Sequence, residues 1–467
     1  MTFYISTRGQ SGRQSFEDVL LAGLAPDGGL FVPESWPSLS PADLAALAGR
    51  DYADAAAEIM RPFVGDAIDP ADFAALIRDA YGRFAHKAVT PLIQLDQRLW
   101  LLELFHGPTL AFKDVALQLL GGLFDHVLAK RNRRITVIGA TSGDTGSAAI
   151  EACRDRDAID IFILYPAGRT SAVQRRQMTT VPSANVHAVA IEGTFDDCQS
   201  LVKSMFGDPL FRESLSLAAV NSINWARIMA QIVYYIVAAV ALGAPGRRVS
   251  FAVPTGNFGN VYAAYAASRM GLPISRLIIG TNANDILTRF FTTARMTKAA
   301  VTPTFSPSMD IQISSNFERL LFELESRSAG SVVASMAEFQ QTGAFGVSPA
   351  AFAEAGRLFR ARAIDDHATE QTIAETWRAS EYVLDPHSAV GVAAAQRADD
   401  GLDDPIVALA CAHPAKFPEV VTAATGRHPA LPPHMADLFD RPERLVALPN
   451  DLASVQAYIR ARARILG

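Results

Sequence analysis

Lys113 stands between an aromatic ring and a carboxylate in the stretch Phe105-His106-Gly107-Pro108-Thr109-Leu110-Ala111-Phe112-Lys113-Asp114. An apolar run, Leu99 to Leu104, precedes it and reads as a buried strand. Phe105, Pro108, Leu110, Phe112 and Val115 give the lysine apolar company. Withdrawal from water disfavours the ammonium form and brings the neutral, nucleophilic amine within reach, so such a lysine can form a Schiff base. The plainer reading puts Phe112 and Val115 in a core while Lys113 snorkels to water along its own stem. What decides between them lies elsewhere in the chain.

Three strand-to-helix junctions are polar and glycine-rich. The first, Gly139 to Ala149, places Ser142, Gly143, Asp144 and Thr145 on a turn. The second runs from Pro254 to Val261, and the third, Cys411 to Pro418, ends the last strand candidate. A helix N-terminus offers unpaired N–H groups and a positive dipole end, so each turn can cradle a phosphate or carboxylate. Neither of the first two matches Gly-x-Gly-x-x-Gly, and neither carries the Gly-Lys-Ser/Thr of a nucleoside-triphosphate loop, so dinucleotide and ATP binding have little support. Singly, each turn reads more readily as a structural loop than as a ligand site. Together, anion cradles and a Schiff-base lysine suit a cofactor with both a phosphate and an aldehyde, which describes pyridoxal 5'-phosphate. A fourth stretch, Val220 to Arg227, sets Asn221, Ser222, Asn224 and Arg227 beside the most apolar segment of the chain. The planar fork of Arg227 suits a substrate phosphate. Alternatively, Asn221 caps the helix and Arg227 meets a local carboxylate.

The elements that must position these groups belong to a long chain. Its 467 residues, 49% hydrophobic, allow two or three domains around large cores. A net charge of −6 gives no general attraction for nucleic acid or an acidic membrane surface. Cys153, Cys198 and Cys411 are widely spaced, with no zinc-type pairing, so no metal site is expected and a reducing cytoplasm fits. The N-terminus lacks the pattern of a signal peptide. Ile228 to Ala244 is almost wholly apolar, but it is short for a bilayer and carries Gln231, Tyr234 and Tyr235, so it reads as a buried helix.

The first hundred residues read mainly as helices. Ser40, Pro41 and Asp43 form a capping signal ahead of a turn ending near Gly49, and Asp69-Pro70 opens a stripe of Phe73, Leu76, Ile77 and Tyr81. The glycines of Gly23 to Leu30 imply a turn-rich structural segment. From Arg134 onward the pattern alternates β and α. The strand candidates are Ile135–Gly139, Ile159–Leu164, Val186–Ile191, Val249–Val253, Leu277–Gly280 and Ile406–Ala410. Their continuous apolar runs suit strands covered on both faces, hence an α/β fold with one or two mostly parallel, doubly wound sheets. His428 to His434 reads as an extended loop.

These segments, together with Ser6 to Gly9, run in the order found in the threonine synthases, and the chain resembles the longer bacterial and fungal form of that family. The resemblance implies the fold-type II architecture of pyridoxal-phosphate enzymes, two α/β domains with the cofactor in a cleft between them. The expected bounds are a helical segment at 1–98, a smaller domain at 99–224 and a larger one at 225–467. It also implies that Lys113 holds the cofactor, with Phe112 and Asp144 beside it, and that Gly256, Asn257, Phe258, Gly259 and Asn260 bind its phosphate. Ser142, Gly143 and Thr145 are expected to face the substrate. Because the leaving phosphate needs a second anion site, Ser142, Thr145, Asn224 and Arg227 are the candidates for it, ahead of Arg169 and Lys416. Relatives acting on other amino acids carry Ser-Gly-Asn where this chain has Ser142-Gly143-Asp144. Cys411 departs from the family's usual threonine beside the pyridine nitrogen, and a thiol is a weaker donor than a hydroxyl. The implied reaction turns O-phospho-L-homoserine and water into L-threonine and phosphate in a cytoplasmic monomer or homodimer. Another lyase or dehydratase of the same fold, or a non-catalytic binding protein, is the alternative.

Overall fold

The computed structural model describes residues 2–219, 222–398, 401 and 403–464. They form two compact units, unit 1 comprising Met1–His106 with Ser222–Pro429 and unit 2 comprising Gly107–Asn221 with Ala430–Gly467. In unit 1, β1 (Tyr4–Ser6) and β2 (Phe31–Pro33) pair antiparallel. Three helices follow, α1 (Pro41–Ala46), α2 (Tyr52–Val64) and α3 (Pro70–Tyr81). The capping signal at α1 forms a complete box, with Ser40 accepting from the Asp43 amide and Asp43 from the Ser40 amide at 2.8 Å. Asp69 caps α3, which buries Phe73, Ile77 and Tyr81. The hairpin of β3 (Leu92–Gln94) and β4 (Leu99–Glu103) then leads to the lysine stretch.

Unit 2 continues with α4 (Lys113–Lys130), β5 (Ile135–Ala140), α5 (Asp144–Cys153), β6 (Ile159–Pro166), α6 (Ala172–Thr179), β7 (Val186–Glu192) and the short β8 (Leu217–Ala218). The chain returns to unit 1 as α7 (Trp225–Ala241), β9 (Val249–Pro254), α8 (Gly259–Arg269), β10 (Ile274–Thr281), α9 (Phe317–Leu324), β11 (Phe359–Ala363), α10 (Pro386–Gln396) and β12 (Ile406–Ala410). It finishes in unit 2 with β13 (Val446–Pro449) and α11 (Leu452–Arg460).

The sheet of unit 1 has the order β11-β10-β9-β12-β4-β3, parallel except where β3 meets β4, and that of unit 2, β13-β7-β6-β5-β8, is parallel throughout. All six expected strands are present. Burial along the full length of β6 and β9 accounts for their unbroken apolar runs. The apolar stretch forms most of α7, nearly all of it buried inside unit 1. Among the described residues, no helix is long and apolar enough to cross a membrane.

The expected bounds at 98/99 and 224/225 shift for reasons of pairing. Leu99 stands opposite Ile406, so β4 belongs to the sheet of unit 1. Val446 stands opposite Val189, which brings the end of the chain back to unit 2 rather than leaving it in the large domain. Within unit 2, a Cβ at Gly121 would lie 2.1 Å from the Ala152 carbonyl oxygen, so α4 and α5 touch backbone to backbone.

His187 on β7 stacks on Phe162 of β6 with ring centroids 4.4 Å apart. Burial lowers its pKa from 6.5 to about 4. The unfolded chain therefore binds the extra proton first, so stability should be flat above pH 6.5 and fall as pH drops toward 4. His187→Phe keeps a ring in the stack and should flatten that slope, measured as the urea midpoint of unit 2 against pH. Equal slopes for variant and wild type in that window would refute the assignment.

Candidate functional site

The loops singled out in the sequence emerge from the C-terminal ends of parallel strands, where open α/β sheets bind ligands. In unit 1, β9, β12 and β4 are neighbours, with Ala408 opposite Ala252 and Ala410 opposite Glu103. Their following segments, from Thr255, Cys411 and Leu104, therefore start side by side.

In unit 2, Asp114 fastens the loop ahead of α4. Its carboxylate accepts from the Thr109 amide and the Thr109 hydroxyl, both at 2.7 Å. A Cβ at Gly107 would lie 2.4 Å from the Asp114 Cβ, and Leu110 takes a φ of +62°, so the loop is tightly wound. The consequence is that α4 begins at Lys113, whose side chain is buried at 8% exposure. The amine does not snorkel. Nζ donates to Asp144 Oδ2 at 3.3 Å and lies 5.0 Å from the centroid of the Phe112 ring.

Asp144 opens α5 and is itself oriented by Gln174, whose Nε2 donates to Oδ1 at 2.8 Å. At Gly143, φ is +152° and a Cβ would lie 2.4 Å from the Gln174 amide carbon, so only glycine admits this contact. Thr141 Oγ1 accepts from the amides of Gly143 at 3.0 Å and Gly146 at 2.9 Å, which closes the turn. Ser142 and Thr145 are half-buried on it. Gln174 carried no signal in the sequence.

In unit 1, Gly256 to Phe258 join β9 to α8. Among the described residues none accepts a hydrogen bond from the backbone N–H of Gly256, Asn257 or Phe258. A Cβ at Gly256 would come within 3.1 Å of Ile311, and Phe258 adopts φ +63° at the start of α8. Asn260 is buried, its Oδ1 accepts from the Tyr234 and Tyr235 hydroxyls, the latter at 2.7 Å, and its Nδ2 has no partner. Burial raises both phenols well above their ordinary range, so they remain donors. A buried amide donor and a run of open N–H groups at a helix N-terminus suit a phosphate, so these residues fit pyridoxal phosphate.

Asn221 lies outside the described residues, and Asn224 takes the capping role at α7. Its Oδ1 accepts from the Ala226 amide at 3.0 Å while Nδ2 donates to the Leu20 carbonyl at 2.8 Å. Arg227 therefore sits in the first turn of α7, not before it. No described carboxylate pairs with it, its Nε and Nη1 have no partner, and burial lowers its pKa to about 10. The alternative in which a local carboxylate satisfies it is not what the structure contains. Arg169 is exposed, whereas Lys416 is fully buried in the turn Pro414–Lys416.

Cys411 is buried at the end of β12. Its amide donates to Ser388 Oγ at 2.8 Å, and the Ser388 hydroxyl in turn donates to Asp385. Asp385 also caps α10 and accepts from His387 Nδ1 at 3.0 Å. The Asp385-Pro386 pair is a visible helix-start signal in the sequence, but nothing local ties it to Cys411.

Comparison with known proteins gives consistent similarities. Residues 84–346 match the family model described as pyridoxal-phosphate dependent enzyme. Residues 3–81 match that for the threonine synthase N terminus, and 388–459 that for the threonine synthase C-terminal region. The threonine synthase of Pseudomonas aeruginosa is 56% identical over 98% of this chain and 97% of its own. That of Corynebacterium glutamicum is 42% identical over 98% of both. Among solved structures, PLP-bound threonine synthase from Brucella melitensis is 52% identical, covers 99% of this chain and 100% of its own, and superposes with a TM-score of 0.98. The yeast threonine synthase structure gives a TM-score of 0.95 at 40% identity, covering 98% of each chain.

Proposed function

This chain belongs to the threonine synthase family of pyridoxal-phosphate-dependent enzymes, and from that premise we propose how its own residues convert O-phospho-L-homoserine and water into L-threonine and phosphate. The observation that carries the residue assignment is that, of the buried donors without partners in unit 1, two groups lie on segments that the sequence singles out for anions. One is Asn260 Nδ2 with the open amides before it, and the other is the Arg227 guanidinium. A cofactor phosphate takes the first, and the planar fork of the second suits a substrate that carries a phosphate as well as its carboxylate.

Gly256 to Asn260 hold the cofactor phosphate, Lys113 holds its aldehyde carbon, and Cys411 offers a neutral, weak donor to the pyridine nitrogen. When bound, pyridoxal phosphate takes up the electron pairs left on the substrate carbons. Lys113 Nζ does the proton work: it removes a proton from Cα, then one from Cβ, and later returns protons to Cγ and Cα. Asp144, itself held by Gln174, keeps Nζ in place between these transfers. Arg227 retains the phosphate as the Cγ–O bond breaks. Water then adds its oxygen at Cβ, its released proton balancing the one the departing phosphate takes up, and one phosphate leaves for each threonine formed. Ser142, Gly143 and Thr145 line the substrate side of the Asp144 turn, and Asn224 fixes the start of the helix that carries Arg227.

The test supplies O-phosphohomoserine to the holoenzyme and measures phosphate and threonine together. Equal amounts are expected, with no turnover of threonine or O-acetylserine. Phosphate without threonine would sink the synthase reading in favour of an abortive elimination.

A further inference from the structure

Two buried arginines of unit 1 behave oppositely. Arg227 has unpartnered arms, whereas Arg319, on the first turn of α9 and fully buried, has every arm engaged. Its Nε donates to the Phe31 carbonyl at 2.9 Å, its Nη2 to the Ile223 carbonyl at 2.6 Å, and its Nη1 to Asn316 Oδ1. Asn316 then uses its own Nδ2 on two carbonyls, Asn257 at 3.0 Å and Ser222 at 3.2 Å, and its backbone N–H also donates to Asn257 O at 3.1 Å. One guanidinium and one amide thus fasten three stretches far apart in sequence: the end of β1–β2, the segment leading to Arg227, and the loop ahead of α8.

The direction of these bonds has a chemical meaning. In a trans peptide the C=O and N–H point opposite ways. Ser314 Oγ holds the Gly256 carbonyl at 2.7 Å, and Asn316 holds that of Asn257. Each grip turns the next amide, of Asn257 and of Phe258, away from the brace and leaves its hydrogen free for an anion. The close fit is visible at Gly259, where a Cβ would lie 3.2 Å from Asn316 Nδ2. The brace is itself anchored: Glu318, the next residue but one, accepts from Arg8 Nη2 at 2.9 Å and from Thr7 Oγ1 at 2.6 Å. This gives the Ser6 to Gly9 motif a role beyond turn formation.

We propose that Asn316 and Arg319 are positioning residues that set the cofactor-phosphate loop and the Arg227 segment together, so that affinity for both anions depends on one brace. The proposal rests on the assignment of those two loops made above. A role confined to packing predicts something different, namely lost stability with unchanged affinities in the molecules that remain folded.

Asn316→Asp separates the two. It keeps an oxygen for Arg319 but puts an acceptor where the side-chain donor to Ser222 and Asn257 stood, leaving the backbone N–H of residue 316 as the remaining grip on the Asn257 carbonyl, and affinities are read on the folded fraction. We expect the Kd for pyridoxal phosphate, measured on apo-protein by fluorescence titration, to rise about tenfold, as loss of about one hydrogen bond implies. The Kd for inorganic phosphate, measured on the holoenzyme by calorimetry, should rise by a similar factor. Asn316→Ala should do the same with a lower unfolding midpoint, and Arg319→Lys, unable to span three carbonyls, should follow it. Wild-type affinities in Asn316→Asp, or a shift in one Kd alone, would overturn the shared brace. Neither binding measurement needs turnover, so a wild type that failed to make threonine would overturn the proposed reaction and leave this test standing.

Discussion

Replacing Lys113 by alanine is expected to lower kcat by about 10²- to 10⁴-fold, because in the proposed reaction one amine performs each proton transfer and general acid–base catalysis of this kind contributes on that scale. Borohydride treatment of the wild-type holoenzyme should fix the cofactor to a peptide containing residue 113, and in the variant it should fix nothing. Part of any loss has a structural origin. Asp144 is 4% exposed, and the variant deprives its carboxylate of the ammonium 3.3 Å away while leaving the Gln174 bond intact. Removing one partner of a buried pair costs about 3–5 kcal/mol when nothing else compensates. Lys113→Ala combined with Asp144→Asn removes the buried carboxylate charge and keeps an acceptor for Gln174, so it should be more stable than the single variant without recovering turnover. A single variant retaining a tenth of wild-type kcat would mean that another group moves the protons.

Arg227→Met should separate function from stability in the opposite sense. A guanidinium whose pKa burial lowers from 12.5 to about 10 is charged at pH 7 in both folded and unfolded chains, so its burial disfavours folding. The penalty is on the order of 3 kcal/mol by the usual conversion. Methionine fills much of the same volume without a charge, and the apo-protein should therefore become more stable in urea. At the same time KM for O-phosphohomoserine should rise about 10²-fold, the loss expected for charge-assisted hydrogen bonds to a phosphate, with bound pyridoxal phosphate retained. A stabilised variant with an unchanged KM would remove Arg227 from the substrate site. The balance is the one expected where a functional group is kept against the interest of the fold.

What the sequence reveals here is what depends on neighbours along the chain. The Ser40–Asp43 box and the Asp69-Pro70 start are local hydrogen-bonding patterns, and both form as expected. The strands announce themselves because burial on both faces demands unbroken apolar runs. The turns at Gly143 and Gly256 are legible because close approach and open amides require glycine. The groups that orient these turns are a different matter. Gln174 reaches Asp144 across 30 positions, Asn316 reaches Asn257 across 59, and Ser388 reaches Cys411 across 23. None has a local pattern of its own, since an amide or hydroxyl in a helix start reads simply as a cap. The position of Arg227 shows the same limit in small: with Asn224 as cap the helix starts at Trp225 and takes the arginine into its first turn, ahead of the apolar run from Ile228 that marks the helix in the sequence. β13 escaped notice because four residues of alternating burial, Val446–Pro449, carry too little pattern to show which distant sheet they join.

That late strand matters during synthesis. The ribosome completes β5, β6, β7 and β8, then makes all of 222–429, before Val446–Pro449 emerges to pair with β7. Throughout that interval the backbone of Val186–Glu192 has an open edge, rich in valine, isoleucine and alanine, of the kind that invites pairing with other chains. The unit bearing Lys113 is thus begun second, interrupted by most of unit 1, and finished last, and its nascent form needs shielding until Val446–Pro449 arrives.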